Sequence, residues 1–171
     1  DKKSNVVEKK KKEKLSLVFS GSALIDSVYM PLVQDRLFFY QRISETKEVV
    51  ALDEIKEEVV DRFGACTKNI ENLFSLAKVQ CLLFPFPVSR CLVSSSSVEF
   101  VLTEEPKGVS AKQTLGVLQE VSKNLSVPFR LLPLKNEGLA FSFEVGGAEA
   151  GLAFSVAFAL NFSVLVSRIS S

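Results

Sequence analysis

Apolar positions recur at helical spacing through the first half of the chain and switch to mixed, partly alternating spacing after residue 88. From Gln34 to Thr46 the pattern predicts a helix with Leu37, Tyr40 and Ile43 on one face, widened by Phe38 and Phe39. A second helix, from about Ala51 to Phe63, places Leu52, Ile55, Val59 and Phe63 on one stripe and Asp53, Glu54, Glu57 and Glu58 on the remaining surface. Gly64 supplies its stop, because glycine accepts the left-handed backbone that follows a helix end. Thr67 is then expected to cap a third helix with the stripe Ile70, Leu73, Phe74, Ala77 and Cys81, which Pro85 and Pro87 end.

Ahead of these helices, Leu15 to Ser20 alternates weakly toward Gly21 and reads as a short strand, and residues 23 to 31 read as extended up to Pro31. Behind them, Arg90 to Val93 and Val98 to Thr103 flank Ser94 to Ser97 as a hairpin, followed by a helix from Ser110 to Leu125. Two more strands, Phe129 to Leu134 and Leu139 to Val145, are joined by the turn-like Lys135-Asn136-Glu137-Gly138. A closing helix is expected from about Ala148, although Phe158 to Val166 also alternates like a strand. Strands and helices do not alternate regularly, so the fold class is α+β: about three N-terminal helices, then antiparallel strands and hairpins with two further helices.

Positions 150 to 167 are uncharged, which meets the length of a membrane span. Asn161, several serines and Gly151 interrupt the stretch, so a buried closing element is the preferred reading and a membrane-associated regulator the alternative.

Composition narrows the picture. A chain of 171 residues with 47% hydrophobic residues and fourteen Phe can bury one sizeable core. Its net charge of +1 is uneven: residues 1 to 14 carry seven Lys against three acids, which is +4 and leaves −3 for the rest. The chain therefore divides into a basic arm or linker, 1–14, and a single domain, 15–171. The arm is a solvated linker or an electrostatic contact to phosphates, and the body is not a basic nucleic-acid-binding domain. Three cysteines without paired spacing and no His argue against a metal site, and unpaired thiols suit a reducing, cytoplasmic compartment. A chain that starts at Asp1 without Met fits an excised fragment or processed product.

Catalytic readings find little support. Without His there is no Ser-His-Asp or Cys-His arrangement, and the acids from Asp53 to Asp61 read as a charged helix face. Gly146-Gly147-Ala148-Glu149-Ala150-Gly151 sits between a strand and a helix, the right context for a phosphate loop, but lacks the Lys and the glycine spacing such loops need. No catalytic residue, metal or cofactor is expected in this chain.

One constellation is more specific. Ala23-Leu24-Ile25 with Tyr29, then Arg36-Leu37, Tyr40 and Arg42, then Glu58-Val59-Val60-Asp61-Arg62-Phe63-Gly64, then Asn72-Leu73, is similar in order and spacing to the C-terminal domain of bacterial transcription-repair coupling factors over roughly residues 23 to 83. Asp26 stands where that family usually has Pro, and Ala65-Cys66-Thr67 replaces a usual Pro pair. The resemblance implies a parent protein with an upstream DNA-translocating motor that uses ATP and magnesium and acts on stalled RNA polymerase. It implies that this domain is non-catalytic and packs on the protein's own UvrB-like module, masking UvrA binding and restraining the motor. It also implies a contact through Glu58, Asp61 and Arg62, with the two acids accepting hydrogen bonds from arginines of that module. Charge neutralisation within the domain by Arg36, Arg42 or Arg62 is the competing reading of the same residues. The remaining alternative is a stand-alone protein-interaction domain.

Overall fold

The computed structural model describes residues 14–134 and 138–171; the basic arm up to residue 13 and most of the turn expected at 135–138 lie outside the described residues. The chain runs β1 (Ser16–Phe19), α1 (Val33–Glu45), α2 (Val49–Phe63), α3 (Lys68–Leu83), β2 (Val88–Val93), β3 (Ser97–Leu102), α4 (Ala111–Leu125), β4 (Phe129–Leu132), β5 (Leu139–Glu144) and α5 (Ala148–Ser170). The class is α+β, as the patterning predicts, with five helices and one five-stranded sheet among the described residues.

The strands lie in the order β1-β2-β3-β5-β4. Three pairings are antiparallel: β2 with β3 and β4 with β5 follow the two predicted hairpins, and β3 with β5 joins them; β1 adds to β2 in parallel, Leu17 opposite Cys91, so the sheet is mixed. A parallel neighbour needs a long crossover. Here the crossover is the whole three-helix segment, a pairing too remote in sequence for local alternation to reveal.

Register puts Cys91, Phe100 and Phe141 in one row and Val93, Val98 and Phe143 in the next, all buried on one face. That face is covered by α5, with α3 and α4 packed against its sides. Phe158 of α5 stacks on Phe100 with ring centroids 4.2 Å apart, and Phe162 continues the stack at 5.4 Å. By length and hydropathy α5 meets the criteria for a membrane span, yet Leu152, Ser155, Phe158, Ala159, Phe162, Leu165 and Val166 are buried within the fold, so it is the central core helix. Of the glycines around its start, Gly151 in its first turn serves packing. A Cβ on Gly151 would lie 2.9 Å from Val93 Cγ1 and 3.2 Å from Val98 Cγ2, so the glycine lets the helix approach the sheet.

A second apolar cluster, built by Ile25, Met30, Phe39, Ile43, Leu52, Ile55, Val59, Ile70, Phe74, Ala77 and Cys81, holds α1, α2 and α3 together. Helix α3 joins the two clusters, because its Val79 and Leu83 point into the first. Thr67 does sit at the N-terminal cap position of α3, but its side chain makes no capping bond and its Oγ1 is buried with no hydrogen-bond partner among the described residues. The stretch 23 to 31 contains a turn where the sequence suggests extended chain. Asp26 makes it: Oδ1 accepts from the backbone amides of Val28 (3.1 Å) and Tyr29 (2.9 Å). These two bonds form an Asx turn.

Candidate partner-binding site

Several residues that carry the family resemblance fasten residues 22 to 31 onto the helices. Tyr40 Oη accepts from the Ile25 amide at 2.6 Å, and Asn72 Nδ2 donates to the Ser22 carbonyl at 2.9 Å. Tyr29 Oη donates to the Gly64 carbonyl at 2.6 Å, where Gly64 (φ 88°) ends α2. Arg36 donates to the carbonyls of Met30 and Pro31, which occupies it away from the acids of α2.

Glu58, Asp61 and Arg62 fall on the last two turns of α2, as the helical spacing predicts, and the fold supplies two partners. Arg42 of α1 donates to Glu58 Oε2 at 2.5 Å, and Arg62 reaches Glu58 Oε1 at 3.5 Å and Asp35 Oδ1 of α1 at 3.2 Å. The Arg42 hydrogen bond holds the Glu58 carboxyl below its ordinary pKa, with Arg62 adding a smaller effect of the same sign. The guanidiniums also lie over rings, Arg42 5.1 Å from Phe38 and Arg62 5.0 Å from Phe63. Glu58 and Arg62 are therefore paired within the domain, whereas Asp61 is exposed and has no ion-pair partner among the described residues. With side chains about a third or more exposed, each bridge to Glu58 contributes only about 0–1 kcal/mol. The network orients these groups more than it stabilises the fold.

Asp35 and the apolar surface beside it were not legible as site residues. On α1 the predicted inward residue Leu37 faces solvent, and Phe39 takes the core position instead. The reason is the direction of α1 against α2: burying Phe39 and Ile43 leaves Val33 and Leu37, one turn apart, on the outer stripe. Leu32 (64% exposed), Val33 (57%), Leu37 (63%) and Phe38 (47%) thus form an apolar ridge alongside the Asp35–Arg62–Glu58–Arg42 network. Among the described residues no group of three or more metal-ligating side chains is assembled. What the arrangement can do is bind: an apolar strip edged by oriented charges suits a protein surface.

Comparison with known proteins places these observations in a family. A family model described as the TRCF domain matches residues 19–113. The transcription-repair-coupling factor of Buchnera aphidicola is 25% identical over 117 residues, 68% of this chain and 14% of that protein. Those of Haemophilus influenzae and Escherichia coli are 37% identical over 68 residues and 36% over 58 residues, covering 40% and 34% of this chain and 6% and 5% of their own lengths. The chain thus spans a small part of these relatives. A solved C-terminal domain of a transcription-repair coupling factor superposes with a TM-score of 0.75 at 17% identity, covering 91% of this chain and 96% of that one, which shows a shared fold. A match over more than half the chain, spanning the residues that fasten 22 to 31 onto the helices, makes this chain a member of the TRCF domain family.

Proposed function

We propose that this chain is the regulatory docking domain of a transcription-repair coupling factor and performs no chemistry itself. In this reading it packs against the parent's UvrB-like module, covers the surface that recruits UvrA, and restrains an ATP- and magnesium-dependent DNA motor until RNA polymerase is engaged. The observation that carries the proposal is the exposed ridge of Leu32, Val33, Leu37 and Phe38 beside the ordered charges of α1 and α2. A solvated domain gains nothing from such a strip, whereas a domain that docks buries it. Asp61 is the acid best placed to accept from a partner arginine. Glu58 and Arg62 would join by exchanging or sharing the bonds they now make with Arg42 and Asp35.

The test uses the full-length parent protein. Replacing Glu58, Asp61 and Arg62 together by Ala, and separately Leu37→Glu, should leave the domain folded by circular dichroism while raising both UvrA binding and basal ATPase activity. Variants that stay folded yet bind UvrA no more tightly than the parent would overturn the proposed surface.

A further inference from the structure

At the opposite end of α1 from this ridge, a half-enclosed cavity of about 510 Å³ opens where the chain enters the domain. Its apolar wall is Leu15, Leu83, Phe84, Phe86 and Val88, drawn from the starts of β1 and β2 and the end of α3. Leu15, Leu83, Phe86 and Val88 belong to the sheet-side apolar cluster, and the C-terminal end of α1 faces them across the cavity. The mouth is polar and mainly cationic. Lys14 and Lys47 stand on it against the single carboxylate Glu45, which already accepts from Gln41. Lys47 Nζ lies 5.0 Å from the centre of the Phe84 ring, so its charge sits directly over the apolar wall. The cavity is lined mostly by carbon yet remains open, and no side chain of the described domain fills it.

We infer that this cavity is a second docking site, independent of the ridge, for an acidic peptide segment that inserts a large apolar side chain. Two observations select that occupant. The volume and lining suit a Phe or Leu anchor, which would bury against Leu83, Phe86 and Val88. The charge at the mouth selects acids around the anchor. Lys14 and Lys47 outnumber the single carboxylate Glu45, so a flanking carboxylate meets a net positive charge. A basic peptide would be repelled by the same groups. Because the cavity lies between the helical unit and the sheet, an inserted anchor also braces the two against each other.

The experiment is an NMR titration of the isotopically labelled full chain with acetyl-Asp-Glu-Leu-Phe-Asp-Glu-amide. Saturable shifts are expected at the amides of Leu15, Gln80, Phe86 and Val88, with an affinity that falls as salt rises. The double charge reversal Lys14→Glu, Lys47→Glu sits on exposed residues and should keep the fold while weakening binding by about tenfold or more. A peptide with Lys in place of each acid should not bind. Three results would overturn the inference: no saturable shift at the cavity, equal binding of the acidic and basic peptides, or cavity amides that already move when residues 1–13 are removed without peptide. The last would mean that the chain's own Val6 and Val7 fill the space.

Discussion

Gly151 shows how a single residue can mislead a reading by motif. In sequence it belongs to a glycine-rich strand-to-helix turn of the kind that cradles phosphate, but in the fold it lets α5 lie close against Val93, Val98 and Val145. Ala at this position gains about 1 kcal/mol of helix propensity but drives a methyl to within 3 Å of a valine, and overpacking of that kind costs about 1–3 kcal/mol. The second effect should win. Gly151→Ala is expected to lower the thermal midpoint by a few degrees, at about 2–4 °C per kcal/mol for a chain of this size. A midpoint that rises would show that α5 can lift off the sheet without loss. Asp26 makes the converse point, since a single side chain fixes a turn in a stretch that reads as extended by accepting two backbone hydrogen bonds.

At the scale of elements, helix boundaries were set largely by local chemistry, and the caps show where that logic stops. Ser110 forms a full capping box with Gln113: Ser110 Oγ accepts from the Gln113 amide at 3.2 Å, and Gln113 Oε1 accepts from the Ser110 amide at 2.9 Å. Thr67 occupies the equivalent place on α3 without that bond. Ser110→Ala should therefore cost about 1 kcal/mol in urea unfolding. Thr67→Val, which removes a buried hydroxyl lacking a partner and keeps the shape, should be neutral or slightly stabilising. Equal losses from both substitutions would mean that Thr67 does cap its helix in solution. The same limit governs α1. Periodicity gave its length, whereas which apolar stripe turned inward depended on α2 and α3, so Leu37 was assigned to the core and is in fact part of the exposed ridge.

Across the whole molecule, α3 is the shared wall of two cores. Ile70, Phe74, Ala77 and Cys81 face α1 and α2, while Val79 and Leu83 face the sheet and α5. Strand β1, which precedes the helices, returns to pair with β2 behind them, so the chain ties the two units together at both ends of the helical segment. Cooperative unfolding follows from this arrangement. Far-ultraviolet circular dichroism and the fluorescence of a Phe129→Trp reporter on β4 should report one coincident transition. Phe74→Ala, made in the other cluster, should shift both by the same amount, at a cost of about 3–5 kcal/mol. Two separated transitions would show that the helical unit and the sheet unit fold independently.

The sequence by itself determined what short-range physics controls: the helices and strands of the described residues to within a few positions, the α+β class, the stop at Gly64, and the placing of Glu58, Asp61 and Arg62 on one helical stripe. It also carried the family resemblance, because the residues that fasten the N-terminal segment recur at fixed spacings along the chain. Only the tertiary structure decided the parallel addition of β1, the outward turn of Val33 and Leu37, the pairing of Glu58 with Arg42 sixteen residues away, and the cavity between the end of α1 and the starts of β1 and β2. Each of these depends on which surfaces meet. Periodicity reports that a helix has an apolar side, and a charged residue reports that it needs a partner or water, but the choice of neighbour is made by packing between elements distant along the chain.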